Sequence, residues 1–195
     1  MTLAWTWAQL EGVLAELYGI SAAQRPAFNA KLRHLQRCGM LPDSKLGRGR
    51  ATPYGTTQAT HLGFALELVQ LGLPPEAAAA VFNQHRHFIT RQLADAASKV
   101  ASGGQLTGQT QWVFLDPQRL AYLQAEPSTA STNALCESGS LPAVLGGPTG
   151  RFSHVAGVDV LRLVSAIAAV AQAMGLPGLL DRAADHPARG GATQP

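Results

Sequence analysis

Apolar positions recur along the chain first at helical and later at mixed spacing. In TWAQLEGVLAELYGI, Trp7, Leu10, Val13, Leu14 and Leu17 fall on one stripe, which predicts an amphipathic helix from Trp7 to Tyr18 with Gly19 as its stop. Ser21 is positioned to cap a second helix, in which Pro26 is tolerable only in the first turn. Phe28, Leu32 and Leu35 form its apolar face, and Gly39 ends it. Residues 41 to 55 hold Pro42, Asp43, Ser44, Gly47, Gly49, Pro53 and Gly55, too many breakers for a helix, and predict a hairpin or loop. Thr56 or Thr57 then caps a third helix carrying Leu62, Ala65, Leu66 and Val69, with Leu71-Gly72 as its stop. Pro74-Pro75 opens a fourth, which the pattern carries without interruption from Glu76 to about Ala101.

Beyond Ser102-Gly103-Gly104 the character of the chain changes, so that triplet is the expected boundary between a unit at 1–101 and a second at 105–195. WVFLD, residues 112 to 116, predicts a strand, and PQRLAYLQ a helical turn or two. Residues 126 to 151 read as a long polar loop. From Val158 to Met174 two apolar stripes predict a helix buried on most sides, and the tail RAADHPARGGATQP predicts disorder. The expected fold class is mainly α with a small β wing, followed by a small, mostly helical C-terminal domain for dimerisation or regulation.

Charge changes this picture in one place. The chain has 195 residues and a formal net charge of +3. Residues 21 to 50 contain seven of its fifteen lysines and arginines against Asp43 alone, which makes that stretch net positive and the remainder net negative. With the apolar face of the second helix at Phe28, Leu32 and Leu35, Arg33 and Arg37 stand one turn apart on the opposite side, flanked by Lys31, His34 and Gln36. A basic helix followed by a glycine-rich basic loop, GRGR, suits duplex DNA. The helix would enter the major groove, and Lys45, Arg48 and Arg50 would lie along the phosphates.

The segment LRHLQRCGML, residues 32 to 41, resembles the MerR-family recognition segment at Leu32, Arg33, Gly39 and Leu41. The stretch from Gly49 to Phe82 is similar to that family's wing and following helix pair, at Arg50, Tyr54, Leu68, Leu71 and Gly72. The resemblance spans roughly residues 5 to 90 and departs from the family at His34, Leu35, Gln36 and in the spacing of Arg50 and Tyr54. It implies a winged helix-turn-helix that binds promoter DNA as a homodimer. The expected function is thus a sequence-specific, double-stranded DNA-binding transcriptional regulator. Its recognition helix is expected at about 25–38 and its basic wing at about 45–54, with Arg25, Asn29, Lys31, Arg33, Arg37, Lys45, Arg48, Arg50 and Tyr54 as the contacting residues.

Other chemistry is not supported by pattern. His85 and His87 sit two apart, about 200° around a helix, which is wrong for a shared metal. Cys38 and Cys136 form neither a CxxC motif nor a thiolate cluster, so no metal or other cofactor is expected. Ser153, His154 and Asp159 lack a nucleophile elbow. LGGPTGR lacks the Lys-Ser/Thr end of a phosphate-binding loop. Gln172, Gly175 and Pro177 argue against a membrane span at 163–180. An enzyme is not expected. The opening MTLAWTWAQLEG lacks the form of a secretory signal, which points to the cytoplasm. The alternative function is a helical adaptor whose basic face meets an acidic protein partner and whose Val158–Met174 helix holds a dimer. A third is a small-molecule sensor with a pocket around Trp112, Phe114, Tyr122 and Phe152.

Overall fold

In a computed structural model the described residues are 4–41, 54–103, 111–115, 137–139 and 156–177. The wing except Tyr54, the PQRLAYLQ segment, Ser153, His154, Cys136, Tyr122, Phe152 and the tail lie outside them. Helix α1 (Trp7–Leu17) starts at Thr6, whose hydroxyl accepts from Gln9 N at 3.2 Å while Gln9 Oε1 accepts from Thr6 N at 2.7 Å. This reciprocal pair satisfies two N–H groups left over at the helix start. Ser21 makes no capping bond. It precedes a 3-10 turn (Ala22–Gln24), and α2 (Arg25–Arg37) follows with Pro26 in its first turn, where the absent N–H costs nothing. Helix α2 ends at Gly39, whose φ of 85° lets Met40 N reach back to Leu35 O at 3.3 Å.

Helix α3 (Thr56–Gln70) begins after Gly55, not after a capping threonine, because Thr56 is already helical. Its Ala59, Leu62, Phe64, Ala65, Leu66 and Leu68 are all buried, so α3 is the central rod against which the other elements pack. The single long helix expected after Pro75 is two helices, α4 (Pro75–Gln84) and α5 (Arg86–Ala101), broken at His85 with φ −107° and ψ 20°. The break has a visible cause in side chains flanking it. Asn83 Nδ2 donates to Cys38 O at 3.2 Å and Arg86 Nη2 donates to Gly39 O at 2.6 Å, so both ends of the break hold the turn that closes α2.

Strand β1 (Trp112–Leu115) falls where the apolar pattern places it. It is the middle of a three-stranded antiparallel sheet in the order β2-β1-β3, with β2 at Glu137–Gly139 and β3 at Ala156–Asp159. Two expectations change here. Residues 137–139 are a strand within the stretch expected to be loop, and Val158 and Asp159 belong to β3, not to the last helix. Val113 and Val158 are register partners and both are buried. Helix α6 (Val160–Ala173) then starts under an Asp159 cap, with Asp159 Oδ1 accepting from Arg162 N at 3.1 Å.

The boundary expected at Ser102–Gly104 does not divide the core. Helix α6 packs on α1, α3 and α5, and its Val160, Leu161, Val164, Ile167 and Ala171 belong to the same buried cluster as Leu14, Leu32 and Phe64. Its apolar face is therefore covered by helices of its own chain. The indole N–H of Trp5 donates to Pro177 O at 3.1 Å, so the two ends of the described chain also meet. The described residues are mainly helical with a small sheet. Among them no helix is long and apolar enough to cross a membrane.

Candidate nucleic-acid interface

Packing Phe28, Leu32 and Leu35 inward turns the opposite side of α2 to solvent, and Pro26, Ala30, Arg33 and Arg37 on that side are all exposed. Small side chains occupy its first half and arginines its second. Lys31 is exposed on a flank. Neither Lys31 nor Arg37 makes an ion pair among the described residues.

Arg33 is held in place, and no carboxylate among the described residues pairs with it. Its guanidinium carbon lies 3.9 Å from the centroid of the Trp7 ring, and Nη1 donates to Gln36 Oε1 at 3.4 Å. Stacking on an indole retains the charge and leaves guanidinium edges available. Trp7 is itself fixed, donating from Nε1 to Asn29 Oδ1 at 2.9 Å and meeting the Tyr54 ring edge-on at 5.5 Å. Periodicity placed Trp7 in the apolar stripe of α1; it is half-buried and serves as the platform for Arg33.

The other expected contact residues are placed differently. Arg25 is ion-paired with Glu11 at 3.1 Å, its charge balanced within the fold. Asn29 accepts from Trp7. Tyr54 is 9% exposed, bridges antiparallel to Trp5, and accepts at its hydroxyl from Gln36 Nε2 at 3.2 Å. Its ring is a buttress beneath the surface. Lys45, Arg48 and Arg50 lie outside the described residues. Of the nine, the structure brings Arg33, Arg37 and Lys31 to the surface of α2 and links Asn29 and Tyr54 to them through Trp7 and Gln36.

Two straps fix the angle of α2 against its neighbours. His34 Nε2 lies 2.6 Å from Glu76 Oε1 at the start of α4. The backbone N–H of Glu76 and then His34 hold that carboxyl below its usual range. The Asn83 and Arg86 contacts at Cys38 and Gly39 are the second strap. Cys38 Sγ sits 4.0 Å from His34 Nε2. Burial, and next Glu76, push its thiol up against a smaller opposing pull from Arg37, so this cysteine lacks the low pKa of a reactive thiolate. No group of three His, Cys, Asp or Glu able to hold a metal ion occurs among the described residues.

Comparison with family models, with curated proteins and with solved structures gives no match to this chain.

Proposed function

We propose that the chain is a double-stranded DNA-binding regulator of the winged helix-turn-helix kind, acting as a homodimer in the cytoplasm, with α2 as its recognition helix. The supporting observation is the outward face of α2, where Arg33 and Arg37 stand a turn apart with small residues before them and, among the described residues, no carboxylate paired to either. A helix that enters a groove needs a slim leading half and cations at reach of base edges or phosphates. Pro26, Ala27 and Ala30 supply the first, and Arg33 and Arg37 the second. The resemblance to the MerR family at Leu32, Arg33, Gly39 and Leu41 points the same way.

The stacked Arg33 is the residue placed to read sequence, because ordering on Trp7 lowers the entropy lost when the guanidinium forks onto a base. Arg33→Ala is expected to cost about 1 to 3 kcal/mol on a preferred duplex and much less on random duplex. Arg37→Ala should weaken both alike. The test is selection of bound duplexes from a random pool, followed by fluorescence anisotropy on the winner and on scrambled DNA across a salt series. With about five phosphate contacts per protomer, log K should fall with log salt at a slope of about −4 to −5 per protomer. A two-fold symmetric winning sequence supports the dimer. Failure to enrich any sequence, with a flat salt response, would exclude DNA and leave the basic face to an acidic protein partner.

A further inference from the structure

A cleft of about 380 Å³ lies between the C-terminal end of α1, the last turns of α3, and the corner where β3 becomes α6. That size falls in the range of small-molecule sites, about 300 to 1,000 Å³. Trp112 from β1 and Leu163 from α6 contribute apolar wall, and Tyr18, Glu67, Asp159 and Arg162 contribute polar groups. The Tyr18 hydroxyl donates to Glu67 Oε1 at 2.9 Å and is shared with Gly63 O at 3.1 Å. Burial, and then the carboxylate beside it, raise the pKa of this phenol, which keeps it a donor at neutral pH. Glu67 is thereby oriented through one oxygen, and its Oε2 has no hydrogen bond among the described residues.

Opposite charge lines the same space without closing on it. Arg162 is exposed at the first turn of α6, where the helix dipole also favours an anion, and its guanidinium makes no ion pair among the described residues. Asp159 Oδ1 is occupied in capping α6. A simple organic cation in the cleft would meet Arg162, and a simple anion would meet Glu67 and Asp159. A ligand bearing both charges on an apolar body satisfies both sides at once. We propose that this cleft binds a free amino acid with a large apolar side chain, with its ammonium on Glu67, its carboxylate on Arg162, and its side chain against Trp112 and Leu163. The site stands whether or not the chain binds DNA.

The test is isothermal titration of the full chain at neutral pH with L-phenylalanine, L-leucine and L-tryptophan. Phenethylamine, which lacks the carboxylate, and 3-phenylpropionate, which lacks the amine, serve as matched probes. At least one amino acid should bind saturably, and for L-phenylalanine each truncated analogue should bind about tenfold or more weakly, since each loses one charge-assisted contact. Glu67→Gln keeps an acceptor for Tyr18 and should reduce L-phenylalanine to the level of 3-phenylpropionate. Arg162→Gln, at an exposed position, should reduce it to the level of phenethylamine. Thermal unfolding of the unliganded variants reports on the fold separately. The assignment is overturned if none of the three amino acids gives heat at millimolar concentration, or if phenethylamine or 3-phenylpropionate binds as well as L-phenylalanine. Because the analogue comparison is made on the unaltered chain, it decides the matter even if a variant is unstable.

Discussion

At the scale of single residues, the most consequential side chain away from the surface is His61. It is 5% exposed on α3, its ring centroid is 5.0 Å from that of Phe82, and neither ring nitrogen has a hydrogen-bond partner within the protein among the described residues. Burial, and then the positive charge of Arg86, push its pKa down to about 4. His85, at the break between α4 and α5, is shifted down by burial as well. The unfolded chain binds a proton at the ordinary histidine value near 6.5 and the folded chain does not. Stability from His61 is therefore complete above about 6.5, is lost as pH falls from there towards 4, and changes no further below that. At pH 5 the loss should be about 2 kcal/mol relative to pH 7. Urea unfolding at the two pH values measures it, and His61→Leu, which keeps an apolar contact to Phe82, should remove that part of the difference. An equal pH dependence in the variant would show that His61 reaches solvent. Residue placement was legible in the sequence only where one helix decides it. The outward positions of Arg33 and Arg37 follow from Phe28, Leu32 and Leu35. The roles of Tyr54 and Asn29 do not, because they depend on Gln36 and Trp7, far away in the chain.

At the scale of elements, α6 packs tightly over Gly63 of α3. A β-carbon there would stand 3.1 Å from Ile167 Cδ1 and 3.3 Å from Leu163 Cδ1. Alanine sets a helix-propensity gain of about 1 kcal/mol against a shift of two buried methyl groups. Valine adds volume with nowhere to go, and Gly63→Val is expected to cost about 1 to 3 kcal/mol in denaturant unfolding. An unchanged midpoint would mean that the two helices separate freely. The same tertiary dependence explains which elements were legible beforehand. α1, α2 and α3 each carry a full apolar face and their own stop signals, and they form close to where the pattern puts them. The break at His85 was hidden because Phe82 and Ile89, seven apart, remain on one face of an uninterrupted stripe; the contacts of Asn83 and Arg86 with the end of α2 make it. Strand β3 was hidden because Ala-Gly-Val-Asp has little intrinsic strand preference and exists by pairing with β1.

At the scale of the whole molecule, the question is whether the C-terminal helix is an appendage or part of the fold that presents α2. Ile167 is fully buried where α6 faces Gly63 of α3, and the cluster containing it runs without interruption to Leu32 and Leu35 beneath the basic face. Glycines at 103 and 104 mark a change in local chain character, yet the pattern cannot show that an apolar stripe after residue 158 returns to cover α1, α3 and α5. One shared core predicts one cooperative transition. Ile167→Ala should lower stability by about 2 to 5 kcal/mol, the range for truncating a buried aliphatic side chain. The loss should move helical circular dichroism and tryptophan fluorescence together, since helices α1 to α5 and the indoles of Trp5 and Trp112 would unfold with α6. Were α6 part of a separately folding unit, the variant would instead split the melt, with most helical signal keeping its original midpoint. Coincident curves shifted as one would mean that a ligand in the cleft beside α6 and a partner on α2 act on the same folding unit, so that each can alter the population available to the other.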